Sequence, residues 1–224
     1  RKADVFSKYG LDFCCGGAKS LTEACEEKGV NEVEVETALA EVENQAKNRQ
    51  QDFNSWDLDF LTDYILNIHH KYVKESVPML YDVSRKVASV HGENHPEVIK
   101  IASLVETIVR ELDTHIQKEE TILFPYIKKL AVAKRENSQL EPAPFGSIEN
   151  PIQTMEDEHV AVGGSMDEIN SLSSGYATPE DACSSYRALY SKLDEFEQDL
   201  HRHIHLENNI LFPKAIQLEK ELLG

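Results

Sequence analysis

Apolar residues recur at alternating steps of four and three along four long stretches of this chain, the periodicity of a helix that buries one stripe. The stripes read Leu66, His70, Val73, Val77, Leu80; Ile108, Leu112, His115, Glu119, Ile122; Ile152, Met155, His159, Val162, Met166, Ile169; and Phe196, Leu200, His203, Glu207, Ile210. No stretch keeps the two-residue alternation of a half-buried strand, so the chain reads as all-α. Boundary residues predict a first helix from just after Ser55, with Asp57 in its first turn, to Ser89. A second should run from Asn94-His95-Pro96 to Arg135, and a third from Asn150-Pro151 to Ser173-Ser174-Gly175. The fourth should start at Thr178-Pro179, with Asp181 in a capping-box-like position, and reach Leu222. Residues 136–150, which hold Pro142, Pro144 and Gly146, form the one longer connection. Four long helices on short connections make an antiparallel up-down four-helix bundle. Pro78, Pro125 and Pro213 are expected to bend or adjust their helices.

Residues 1–46 have a different texture and read as a small helical domain, with residues 47–54, polar and Gln/Asn-rich, as its linker to a bundle of residues 55–224. A capping box at Ser20-x-x-Glu23 should start one short helix, and a second should follow Asn31. Before them stands Cys14-Cys15-Gly16-Gly17. The glycines let the backbone turn tightly and give the thiols access, so Cys14 and Cys15 are candidates for thiol chemistry. Cys25 and Cys183 read as ordinary helix residues.

The chemistry sits where polar residues interrupt the bundle stripes. The segment His-Ile-x-x-Glu-x-x-Ile-Leu-Phe-Pro occurs twice, from His115 and from His203, an offset of 88 (203 − 115). His70 and His159 sit on the other two stripes with nearly the same offset, 89 (159 − 70). The bundle therefore consists of two similar halves, each with one His helix and one His-x3-Glu helix. His and Glu four apart share a helix face, and an unpaired carboxylate in an apolar interior is very costly. Four histidines (His70, His115, His159, His203) and two glutamates (Glu119, Glu207) aimed inward suit a dinuclear metal site. If both glutamates bridge, each ion sees two imidazoles and two carboxylate oxygens, with positions left open. Ligation by N and O without thiolate suits iron or manganese, and zinc less well. Because such ligands must be deprotonated, occupancy should fall as the histidines protonate below about pH 6. His69, His91, His95, His201 and His205 lie off the stripes and read as surface groups or groups behind the ligands.

Charge and length narrow the picture further. The 224 residues carry 40 acidic against 23 basic side chains, a formal net charge of −17. That argues against nucleic acid and against an anionic membrane surface as partners. No apolar run approaches the roughly 18 residues of a membrane span, and no signal-peptide pattern is present. The chain begins at Arg1 inside what reads as a helix, so its natural N-terminus is expected to lie further upstream. Four cysteines are too few for a secreted disulfide framework, and the reading is a reducing cytoplasm.

Taken together, these motifs resemble the RIC family (repair of iron centres; the YtfE/ScdA-type di-iron proteins), part of the wider hemerythrin-like group. The resemblance rests on Tyr9-x-x-Asp12-Phe13-Cys14-Cys15-Gly16-Gly17, on the two His-x3-Glu segments with their Leu-Phe-Pro ends, and on His159 within Met155-Glu156-x-Glu158-His159. It covers nearly the whole chain. It implies two iron ions per chain with an oxo or hydroxo bridge, held by His70, His115, Glu119, His159, His203 and Glu207. It also implies roles behind the ligands for Glu111 and Glu158. The implied function is repair of iron–sulfur clusters damaged by nitrosative or oxidative stress, by donation of iron from a labile centre. The partners would then be damaged iron–sulfur proteins and nitric oxide, and a homodimer is compatible with the resemblance. Reduction of nitric oxide at the centre and hemerythrin-like carriage of oxygen or iron are the competing readings.

Overall fold

The computed structural model describes residues 5–6, 8–11, 20–46, 52–141 and 143–223. Near the N-terminus, α1 (Leu21–Lys28) starts on the expected capping box: Ser20 Oγ accepts the Glu23 N–H, and the Glu23 carboxylate accepts the Ser20 N–H at 2.9 Å. Gly29, in the left-handed region at φ 65°, ends it. The Asn31 side chain accepts the Val33 N–H at 3.0 Å at the start of α2 (Glu32–Ala46). Val5, Leu11, Cys25 and Val35 form a small core of their own. Cys25 is a buried packing residue there, as its helical setting suggested. Cys14 and Cys15 lie outside the described residues.

The remainder is helical. A 3-10 turn, Phe53–Ser55, precedes α3 (Leu58–Ile65), which continues through a π-helical turn (Leu66–His70) into α4 (Lys71–His91). Next, α5 (Glu97–Lys118) passes through a second π turn (Glu119–Leu123) into α6 (Phe124–Glu136). The third rod, α7 (Glu149–Leu172), is unbroken. Last, α8 (Ser184–Leu206) passes through a third π turn (Glu207–Leu211) into α9 (Phe212–Leu223). Four rods result, and α4, α5, α7 and α8 close into a ring in which each packs on two neighbours. This is the helical bundle that the stripes predict.

One boundary differs from expectation. The fourth rod starts at Ser184, not at Thr178-Pro179. The Ala182 N–H bonds the Pro179 carbonyl in a separate turn, and Ala182 is buried in the core. Asp181 caps nothing, because its carboxylate lies 3.0 Å from His95 Nε2. Pro78 sits inside α4 without ending the helix.

Two apolar cores fill the bundle. One gathers Val73, Leu112, Ile116, Val162, Leu200 and Ile204 with residues further along the same rods. The other gathers Ile65, Leu123, Phe124, Met155, Ile210 and Phe212 around α3, α6 and α9. On every rod the candidate ligands fall where the two cores meet. The second core is closed by a feature that the stripes do not reveal. Glu219 of α9 is buried, and its carboxylate accepts from Tyr126 Oη (2.8 Å), Ser147 Oγ (3.0 Å) and the Ile148 N–H (3.0 Å). It thereby satisfies a backbone donor at the entry to α7.

Candidate metal centre

The π turns position the ligands. His70 ends the first, Glu119 opens the second and Glu207 opens the third. In each, the residue after the turn bonds five back instead of four: Lys71 N–H to Leu66 O, Phe124 N–H to Glu119 O, and Phe212 N–H to Glu207 O. Pro125 and Pro213, which cannot donate, follow two of them after one intervening residue and lower the cost of leaving the regular ladder. A π turn inserts one residue, so the buried stripe moves on by about 100° of helix rotation. This corrects the simple stripe on α5: Ile122 is 49% exposed and Leu123 takes its place at 1%. Ile65 likewise replaces Leu66 in the core at the first turn. On α7, which has no π turn, all six stripe residues are buried as the spacing predicts.

All six candidate ligands are buried, and their donor atoms converge. His70, Glu119, His203 and Glu207 form one pocket, and His115, Glu119, His159 and Glu207 form a second, each with one atom per residue within 4.8 Å of the others. Both glutamates belong to both pockets. Each pocket draws one histidine from each half of the repeat, so neither half can build a site alone. In the first pocket His70 Nε2 lies 3.2 Å from Glu119 Oε2, and His203 Nε2 lies 3.0 Å from Glu207 Oε1. In the second, His115 Nε2 is 3.4 Å from Glu119 Oε2, and His159 Nε2 is 3.2 Å from Glu207 Oε2.

These atoms fit a cation better than they fit one another. Both Glu119 oxygens, Glu207 Oε2 and His70 Nε2 are buried without a hydrogen bond of acceptable geometry, although His70 and Glu119 lie close. His115 Nε2 and His159 Nε2 face each other at 3.1 Å, where two lone pairs repel unless a proton or a metal lies between. Without metal, protons take that place. Burial opposes protonation of His70, but the Glu119 and Glu207 carboxylates outweigh it and raise its pKa to about 10. His159 is raised to about 9 against the same burial, chiefly by Glu207. Burial alone would push the Glu207 carboxyl up, yet the surrounding histidines hold it well below its ordinary range.

Behind the ligands, the Nδ1 atoms of three histidines meet acceptors. His115 contacts Glu158 at 2.9 Å, and Lys118 holds Glu158 in turn. His70 contacts Glu120 at 3.0 Å, and Lys74 reaches the same carboxylate at 2.7 Å. His159 contacts Asn208 Oδ1 at 2.8 Å. Glu158 is one of the two residues that the resemblance implied; Glu120 and Asn208, which stand directly beside the ligand glutamate of each repeat, were not expected and could have been sought there. Among the described residues Glu111 makes no hydrogen bond or ion pair with any of the six. His69 is buried beside the site, while His91 and His95 lie at the far end of α4, near Cys183 and Asp181.

Cys183 departs from its expected role as an ordinary helix residue. It is the N-cap of α8, exposed, with its Sγ 3.1 Å from His91 Nε2. Backbone N–H groups of the first turn and the His91 imidazole lower its thiol pKa to about 7.

Residues 61–215 match the family model of the hemerythrin HHE cation binding domain. Residues 1–43 match the ScdA_N model, which is described as a domain of unknown function. A probable iron-sulfur cluster repair protein of Haemophilus influenzae is 37% identical over 213 residues, 95% of this chain and 90% of the relative. The iron-sulfur cluster repair protein YtfE of Yersinia pestis is 35% identical over 220 residues, 98% of this chain and 93% of the relative. Its counterpart in Yersinia pseudotuberculosis is 34% identical over the same length. The chain thus belongs to the hemerythrin HHE family and, within it, to the group of YtfE-type iron-sulfur cluster repair proteins.

Proposed function

We propose that this protein repairs damaged iron–sulfur clusters by donating iron, and that it stores the iron as a pair of ions between α4, α5, α7 and α8. His70 and His203 would hold one ion, His115 and His159 the other, and Glu119 and Glu207 would be shared by both. The observation that carries the reading is the convergence of four imidazole nitrogens and two carboxylates on one buried volume, with most of those oxygens lacking any other partner. When bound, iron supplies transferable metal in a thiolate-free setting, which suits release better than a closed cysteine site does. The protein's own part is to keep the donors aligned. Glu120, Glu158 and Asn208 orient three of the rings, and the two apolar cores exclude water from above and below. The relatives' names support the client class, damaged iron–sulfur proteins. The same reading divides the chain into a thiol-bearing unit of residues 1–46, a linker of 47–54 and the iron-holding bundle of 55–224, at work in a reducing cytoplasm. Among the described residues no helix is long and apolar enough to cross a membrane.

The test is direct. Anaerobically loaded protein should contain about two irons per chain. Mixed with a nitric-oxide-damaged iron–sulfur protein, it should restore that client while losing iron in proportion. Restoration equally well by metal-free protein, or restoration with no loss of iron, sinks the donor reading.

A further inference from the structure

The four candidate histidines are not supported alike. His70, His115 and His159 each place Nδ1 against an acceptor, at 3.0, 2.9 and 2.8 Å. His203 Nδ1 is buried and has no hydrogen-bond partner among the described residues. A different contact restrains its ring. The His69 imidazole lies flat on it, with centroids 5.4 Å apart and planes 9° from parallel. His69 is itself pinned. Its Nδ1 lies 3.1 and 3.2 Å from the two Asp199 oxygens, and it meets the Tyr64 ring edge-on at 5.8 Å. Asp199 stands one turn before His203 on α8, so the stacked ring and its anchor address the same stretch of helix.

The two kinds of support differ chemically. An acceptor on Nδ1 fixes the tautomer, orients the ring and makes Nε2 a better donor, and losing such a partner typically costs on the order of 10- to 100-fold in metal affinity. Stacking fixes the plane of the ring but adds nothing to the donor strength of Nε2. The pocket of His70, Glu119, His203 and Glu207 therefore holds its ion with one fully supported imidazole, and the pocket of His115 and His159 with two. The shared glutamates cannot cause a difference, because both pockets use both.

We propose that His69 is a positioning residue for His203, and that the pocket containing His203 is the one that gives up its iron first. This rests on the two-iron reading above and specifies which ion is donated. It also accounts for a buried histidine one position away from a ligand, since a ring that lies parallel to His203 and is also held by Asp199 needs a nitrogen.

The experiment uses the full chain loaded anaerobically with ferrous iron and challenged with excess ferrous chelator. Iron release in the wild type should be biphasic, one equivalent per phase. His69→Ala should speed the fast phase by about 10-fold and leave the slow phase unchanged. His69→Phe, which keeps a flat ring over His203 but loses the Asp199 anchor, should speed the fast phase less than His69→Ala does and about as much as the loss of the anchor alone. Asp199→Ala, which removes the anchor without opening a cavity in the core, should speed the same phase. Asn208→Leu, which strips His159 of its partner, should speed only the slow phase. Helicity and melting temperature of the metal-free variants distinguish a positioning effect from general loosening, since His69→Phe partly rescues only the former. Uptake of one equivalent overturns the two-iron reading and this proposal with it. Two equivalents with unchanged release from both His69→Ala and Asp199→Ala overturn this proposal alone. So does acceleration by His69→Ala of the phase that Asn208→Leu accelerates.

Discussion

At the scale of single residues, protons and metal compete for the same atoms. His70 and His159, raised to about 10 and about 9, are both charged at neutral pH when metal is absent. Loading must therefore expel about two protons, and affinity for metal should climb with pH up to about 9 to 10. An ordinary imidazole would have placed that competition near pH 6 to 7, so the buried carboxylates move it up. Calorimetric loading at pH 7 in buffers of different ionisation enthalpy should report close to two protons released, and a count near zero would refute the assignment. The sign for stability follows from the same shifts. The stabilising contacts of the charged histidines are complete below about 6.5 and fade as pH rises through 9 to 10. The melting temperature of metal-free protein should thus drop between pH 7 and 10, while that of loaded protein should not. The shared glutamates should matter more than any single histidine. Glu119→Ala or Glu207→Ala strips both pockets, whereas His70→Ala strips one, so metal content should fall to near zero in the former and towards one ion in the latter. Equal loss in all three would mean that the glutamates are not shared.

Cys183 belongs to the same scale and to the opposite reach of α8. Its lowered thiol is half ionised near pH 7, so alkylation at this position should already be half-maximal there. His91→Ala should push the midpoint upward and slow modification at pH 7 several-fold. Peptide-resolved alkylation rates across pH check this: a parent midpoint near the ordinary thiol value of about 8.5 would overturn the lowering, and a midpoint that His91→Ala leaves unmoved would show that the imidazole has no influence. The thiol is unremarkable in the sequence because its partner is 92 positions away.

At the scale of the element, what was legible and what was not separate cleanly. The rods, their order and all six converging side chains follow from a step of four and three, because that step is fixed by helix geometry and needs no tertiary information. The π turns do not follow from it. A stripe that slips by one residue looks the same in sequence as a stripe with an extra apolar residue, and Ile122-Leu123 offers both choices. The residues behind the ligands were not legible from the stripes for a similar reason: Glu158, Glu120 and Asn208 all serve histidines on other rods, His115, His70 and His159, and only the family resemblance pointed to Glu158. The functional weight of the π turn can be measured. Deleting Ile122, an exposed residue, should return the 119–123 turn to regular helix and turn the Glu119 carboxylate away from one pocket. The variant should remain helical, with a melting temperature within several degrees of the parent, yet lose at least one equivalent of metal. Full metal content in the deleted chain would show that the extra residue is not what places Glu119.

At the scale of the whole molecule, the two matched regions are expected to divide the labour. All donor atoms of the centre come from residues 70–207, and both apolar cores that enclose it are built from residues 58–218. A fragment of residues 55–224 should therefore fold, load two irons and show the optical spectrum of the parent. The paired thiols of Cys14 and Cys15 belong to the other matched region, and their expected value lies in what happens to iron afterwards, through docking on a client, thiol exchange or transfer. Cys14→Ser/Cys15→Ser in the full chain should load iron normally and yet restore a damaged cluster protein at least several-fold more slowly. Serine keeps the size and loses the thiolate, and an unchanged helical signal and melting temperature would separate a slow variant from an unfolded one. Repair at the parental rate would leave the bundle as the sole working part, with the N-terminal unit serving some purpose other than transfer.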